Sequence, residues 1–339
     1  MSSFHQLART ADWFQWKIPP LLAVGYAMIL INGIAFWPGF YTLFLLITSI
    51  CSVGAYGHVV NDIFDIEQDL AAGKRNAMAK LSPSWRFFWV FLFIATGFLS
   101  LYLLTASLLM VALLFLNYLL PTIYSIPPFR LKERGILGVL ADTSAAHLLP
   151  VLLIAISLNS IENISGLQNF ILLVFAAIWA FFLGLRGIIS HQVLDLQHDR
   201  KTNVVTFAGN KSREYIRSLI LQFCYPAEMI GLTGFMGAII LTSPLVTGFL
   251  CIFIMVEFSK MARGWKFTLV YPERPGSERY LPFLNNEFYE AWLPVILALE
   301  LLWITPLYGL ILTLHIVLFR NMLKERLVLY SRIFYSFIK

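Results

Sequence analysis

From residue 18 to residue 318 the chain alternates long apolar runs with shorter polar connections. A helix needs about 20 mostly apolar residues to cross the hydrocarbon of a bilayer. Runs of that kind lie near 18–37, 40–60, 86–104, 106–124, 136–157, 168–190, 215–236, 239–258 and 288–318. They predict an all-α polytopic membrane protein with about nine transmembrane helices. Residues 1–17 are polar and read as an interfacial helix or arm rather than a signal peptide, because the apolar run that follows is too long for one. Residues 18–320 then form a single membrane domain, and 321–339 a basic C-terminal tail.

Composition agrees. Hydrophobic residues make up 59% of the chain and charged residues 13%, with a mean hydropathy of +0.75. Soluble domains are about 25% charged, so a water-soluble globule and a disordered chain are both excluded. Cys51, Cys224 and Cys251 lie in apolar stretches without metal-ligand spacing, and read as packing thiols.

Charge sets the orientation. Arg9 and Lys17 precede the first run, and clusters containing Lys74–Arg86, Arg130–Arg134, Arg200–Arg217 and Lys260–Arg279 follow the second, fourth, sixth and eighth. The alternate connections carry no Lys or Arg. With the amino terminus inside, every basic loop is cytoplasmic. The net charge of +6 is then a one-sided field suited to anionic headgroups or substrates; no nucleic-acid partner is expected. Nine straight spans would strand the tail cations Arg320, Lys324, Arg326, Arg332 and Lys339 on the far side. A bend near Thr305-Pro306 would split 288–318 into two short segments and return the tail to the basic face.

Two acidic groups stand at cytoplasmic helix ends. Aligning Asn61 on His191 places Asp65 on Asp195 and Asp69 on Asp199. Residues four apart share a helix face, so each segment presents a polar ladder, and each runs into cations: Lys74 and Arg75 in one, Arg200 and Lys201 in the other. Carboxylates at a membrane face are costly unless they serve a site. Two facing ladders make an oxygen-rich cage of the kind Mg²⁺ takes together with substrate phosphates. The pattern predicts a Mg²⁺–diphosphate site at the mouth of an apolar bundle.

The segment Asn61-Asp62-x-x-Asp65-x-x-x-Asp69, followed by Asp195-x-x-x-Asp199, resembles the paired motifs of the UbiA-type intramembrane prenyltransferase superfamily. Tyr124-Ser125-Ile126-Pro127-Pro128-Phe129-Arg130-Leu131-Lys132-Glu133-Arg134-Gly135 resembles the stretch that many members carry after the fourth helix. The resemblance implies a ring of nine helices around a lipid-open cavity with a cytoplasmic cap. It also implies Mg²⁺-dependent transfer of a prenyl group from an allylic polyprenyl diphosphate to a lipophilic acceptor, within membrane lipid. On that pattern Asn61, Asp65, Asp69, Asp195 and Asp199 hold metal. Arg75, Lys132, Arg134 and Lys201 are diphosphate contacts, with Lys74, Arg186 and Tyr124 as further candidates.

The sequence departs from the pattern in two places. Lys74-Arg75-Asn76 stands where many members have an arginine-proline pair, and His191 heads the second ladder in place of an acid or amide. His191 would contact phosphate or orient Asp195. Asp142 and His147 fall in the fifth run, and Asp142 is a candidate base or acceptor ligand. Arg186 would face the cavity or pair with an acid. A terpene cyclase of the same fold would use the same ladders without an acceptor. A transporter or lipid-binding protein is more remote, because the acids cluster at one face. A prokaryotic cytoplasmic membrane is the expected location, with the motif loops facing the cytoplasm.

Overall fold

The structure is a computed structural model and describes residues 4–161, 166–201, 205–240, 242–262, 266–268, 280–282 and 286–338. Helices α1 (Thr10–Asn32), α2 (Phe36–Phe64), α3 (Pro83–Leu103), α4 (Leu108–Ser125), α5 (Ile136–Asn159), α6 (Leu167–Lys201), α7 (Arg213–Ile240) and α8 (Pro244–Ala262) correspond to the first eight apolar runs. Among the described residues these eight are each long and apolar enough to cross a membrane, and a bent helix pair near the C-terminus brings the number to nine if counted as one span. The boundaries have local causes. Gly33, at φ 60°, caps the end of α1, while the Ser107 and Ser212 hydroxyls accept from the Met110 and Tyr215 amides to start α4 and α7.

Helix α1 begins at Thr10, so residues 10–17, read from sequence as part of an interfacial helix or arm, form its first turns. Every residue from Ile18 to Ile29 is buried, as expected of a helix that is apolar on all sides and central in its bundle. Helices α3 and α8 instead expose apolar side chains such as Phe87, Phe91, Ile252 and Phe258, a surface suited to lipid. Close backbone approach joins α6 to α7. A Cβ on Gly231 would lie 2.4 Å from the Trp179 backbone nitrogen, so only glycine allows that crossing.

The last apolar run is broken at Thr305-Pro306 into α9 (Leu293–Ile304) and α10 (Gly309–Leu318), followed by α11 (Arg320–Ile338). Helix α9 leads to Tyr308, whose hydroxyl donates to Ile34 O (2.7 Å) beside the α1–α2 turn. Helix α10 returns to Leu318, whose carbonyl accepts from Gln15 at 3.0 Å. The chain then bends by 76° into α11. The tail therefore lies at the same end of the bundle as Asp65 and the other motif residues, which accounts for its cations. Among the described residues the non-helical regular structure is a short parallel ladder, Lys266–Thr268 with Tyr280–Pro282.

Candidate active site

A cavity of about 850 Å³ opens at this end, walled by α1, α2, α4, α5 and α6. Asn61, Asp65, Asp69, Lys74, Tyr124, Lys132, Asp142, His191 and Asp195 all line it. The first ladder is not one straight helix. Helix α2 ends at Phe64, Asp65 takes φ −105° and ψ 4°, and a short helix resumes at Ile66–Ala71. The Asp65 and Asp69 amides still donate to the carbonyls four residues back, at 3.0 and 2.8 Å, so the three polar side chains keep to one wall. The second ladder stays on continuous α6, where His191 Nδ1 meets Asp195 Oδ2 at 3.0 Å on the open rim. The side chains of Asp199 and Lys201 lie outside the described residues.

Asp65 is the centre of charge. Arg130 Nη2 donates to its Oδ1 at 2.9 Å, and Lys132 Nζ pairs with its Oδ2 and donates to Asn61 Oδ1 at 3.0 Å. Burial pulls the Lys132 ammonium below its ordinary value, although Asp65 pulls the other way. Burial also lowers the Arg130 guanidinium, but Glu133 and Asp65 reverse this and hold it above its usual value.

The loop carrying these cations is shaped by backbone geometry. Arg130 adopts φ 38°, a left-handed conformation uncommon outside glycine, and Gly135 turns the chain into α5 at φ 58°. A Cβ on Gly138 would lie 2.5 Å from Leu131 O and 3.0 Å from Lys132 Cα. The missing side chain thus lets α5 press the loop toward Asp65.

The sequence pattern did not single out Arg130 as a site residue, or Asn76. Asn76 is buried and donates to Asp69 Oδ2 (2.9 Å) and Asp62 O (2.8 Å), while its own oxygen accepts from the Met78 and Ala79 amides. It holds the loop after the first ladder, which makes its place next to Lys74-Arg75 the signal that could have found it. Asp62 is buried and meets Arg9 at 3.4 Å, tying the N-terminal segment to α2.

Three expected diphosphate contacts are not among the residues that line the cavity. Arg75 is exposed on the outer loop, and the exposed Arg134 donates to Pro128 O at 2.6 Å. Arg186 is wholly buried and grips Glu228 with two bonds, at 2.5 and 2.9 Å, while Nη2 also donates to Asn286 and the Tyr289 hydroxyl, both at 2.8 Å. It clasps α6, α7 and the turn that leads into α9. Of the two sequence expectations for Arg186, pairing with an acid is the one observed.

The cavity can receive a strongly anionic group at its rim and an apolar body further in. Cations of Lys74, Lys132 and Arg326 stand at the mouth, while Leu21, Ile50, Val53 and Leu183 give the wall further in an apolar surface. A family model described as the UbiA prenyltransferase family matches residues 18–268. Among solved structures, a UbiA homolog from Archaeoglobus fulgidus bound to GPP and Mg²⁺ is similar, with a TM-score of 0.57 and 16% identity, over 92% of this chain and 100% of that one. A further structure of a UbiA homolog from Archaeoglobus fulgidus gives 0.53 at 16% identity over 92% and 100%, and a Cd²⁺-bound one 0.51 at 16% over 95% and 100%. At such identity the likeness establishes the fold. No curated protein matches the sequence significantly.

Proposed function

Because the chain belongs to the UbiA prenyltransferase family, we propose that it transfers a prenyl group from an allylic prenyl diphosphate to a lipophilic acceptor, with Mg²⁺, at the cytoplasmic face of a cell membrane. The observation that carries this reading is the Asp65 carboxylate held between Arg130 and Lys132 at the mouth of a cavity that also has apolar lining such as Leu21, Ile50, Val53 and Leu183. The homolog of the same fold that was solved with GPP and Mg²⁺ supports the choice of substrate and metal.

The donor set fits Mg²⁺. Asn61, Asp65, Asp69 and Asp195 offer hard oxygens to one cavity. No three His, Cys, Asp or Glu converge as a complete metal site among the described residues. Mg²⁺ does not need such a set, since it takes one or two carboxylates and fills its shell with water and phosphate. These four residues would hold it, together with Asp199 one turn beyond Asp195. When bound, the ion neutralises the diphosphate and stabilises the charge that develops on the departing oxygen.

The chain's own residues do the rest. Arg130 and Lys132, which neutralise Asp65 in the free protein, turn to the phosphate oxygens and free the carboxylate. The carbon–oxygen bond of the allylic carbon breaks, and its electron pair leaves on diphosphate. Trp13 and Tyr124, both on the cavity wall, are the aromatic rings that would stabilise the allylic cation. The acceptor's nucleophilic atom then forms the new bond, and Asp142 takes the proton it loses.

Purified protein incubated with Mg²⁺ and labelled allylic diphosphates of increasing chain length tests this. Consumption that requires added membrane lipid extract, and is absent in Asp65→Ala and Asp195→Ala, supports transfer. Metal-dependent terpene formed without any acceptor would replace it with a cyclase. No consumption in any mixture would refute both.

A further inference from the structure

Asn61, Asp65, Asp69, Lys74 and Lys132 gather at the mouth of the cavity. On α1 the lining runs from Asp12 and Lys17 inward to Leu21, and on α2 from Asn61 inward to Ile50. On α5 it runs from Asp142 to Pro150, and on α6 from Asp195 to Leu183. Each of these helices thus ends its lining on an uncharged, apolar residue. Helix α4 differs, because its innermost lining residue is Asn117, two helical turns below Ser125 and so roughly 12 Å deeper. Asn117 is 0% exposed, and neither its amide nitrogen nor its oxygen has a hydrogen-bond partner. On the neighbouring wall, a π turn at Ser144–Leu148 interrupts α5 and brings His147 to the cavity. Its ring is seated against Gly184, where a Cβ would lie 2.8 Å from Cδ2.

Buried amides in folded proteins are almost always paired, and one that is not calls for a ligand or an ordered water. A prenyl tail offers Asn117 neither donor nor acceptor. An ionised phosphate or carboxylate head only accepts, and would leave the amide oxygen of Asn117 facing another acceptor. A hydroxyl both donates and accepts, and so answers both halves of the amide. π turns inside α-helices frequently mark functional positions, which fits His147 as a second contact.

We propose that Asn117 and His147 form an inner subsite that binds the neutral, hydroxyl-bearing end of the lipophilic acceptor. This rests on the transfer reading above and adds the acceptor's class to it: an uncharged lipophile with a hydroxyl remote from the alkylated atom. The prenyl tail must then leave the inner cavity free and extend elsewhere along the bundle.

Binding can be read without turnover, because Trp13 and Trp16 line the same cavity. Quenching of tryptophan fluorescence by para-octylphenol, para-octylanisole and para-octylbenzoate compares a hydroxyl, its methylated counterpart and a charged head on one apolar body. The phenol should bind wild type about tenfold more tightly than the anisole, the worth of about one good hydrogen bond. Asn117→Leu should abolish that preference, and His147→Phe should reduce it. In turnover, Asn117→Leu should raise the acceptor KM about tenfold while the diphosphate KM moves less than twofold. Its melting temperature should hold or rise, since a buried unpaired amide has become apolar.

Unchanged phenol preference in Asn117→Leu, best binding by the benzoate, or a sharp fall in melting temperature would each overturn the subsite. Asn117-dependent phenol binding by a protein that consumes no diphosphate would refute the transfer reading and leave the hydroxyl subsite standing.

Discussion

Lys132 offers the sharpest test of the charge exchange at the cavity mouth. Its ammonium and the Asp65 carboxylate are only 12% and 10% exposed, so their interaction is little screened. A unit charge about 4 Å from another contributes about 4 kcal/mol at an effective dielectric near 20. Truncating one partner of a buried, hydrogen-bonded charge pair costs roughly 2–5 kcal/mol. About 3 kcal/mol lost from the transition state is about a 10²-fold fall in kcat/KM. Lys132→Gln should lose that much while keeping a donor for Asn61.

The pH profile gives an independent reading. Burial lowers the Lys132 proton affinity, and the charged form is the one that binds phosphate. The kcat/KM of wild type, which reports the free enzyme, should therefore fall as pH rises through a value below that of an ordinary lysine. Lys132→Arg should push this alkaline limb upward out of range, because a guanidinium keeps its proton there. The assay is initial-rate consumption of labelled diphosphate across pH at saturating Mg²⁺. If Lys132→Gln stays within about threefold of wild type, or the limb does not move in Lys132→Arg, the phosphate role of Lys132 is wrong.

Gly138→Ala should force its new Cβ against Leu131 O, now 2.5 Å from that position, at a strain of about 1–3 kcal/mol. Diphosphate KM should rise more than acceptor KM, and equal effects on both would count against the loop-positioning role. Arg186→Met should leave Glu228 buried without its partner and destabilise by roughly 3–5 kcal/mol, seen as a lower melting temperature in detergent. Arg186→Met with Glu228→Met should regain most of that, whereas a selective rise in diphosphate KM without destabilisation would return Arg186 to the substrate. Arg326 pairs with Glu287 and Glu290, both at 3.4 Å, and stacks near Trp16. Arg326→Ala should lower hydrogen-exchange protection along α11 about tenfold, and unchanged exchange would show that other contacts hold the tail.

The spans, and the placing of Asn61, Asp65, Asp69, His191 and Asp195 on one cavity, were legible because their signals are local: an apolar run for a membrane helix, and a spacing of four for one helix face. Proline marked the break between α9 and α10, which is why the tail's return could be foreseen as an alternative. Side-chain partnership was less legible. Arg75, Arg130, Lys132 and Arg134 are near-equivalent as letters in basic loops, and Arg186 satisfies a buried acid as readily as a phosphate. A positive φ at Arg130 and a missing Cβ at Gly138 decide that Arg130 and Lys132, and not Arg134, reach Asp65. Asn117 had no sequence signal, since one amide in an apolar run looks like any helix-packing residue. Its interest comes from what does not touch it. On the proposed reading, cations at the mouth set where a diphosphate belongs, but the cavity would bind any lipophile if apolar surface were all it offered further in. An unpaired amide at the inner end makes the choice of acceptor a matter of hydrogen bonding, and so gives the protein a means of refusing the hydrocarbon that surrounds it.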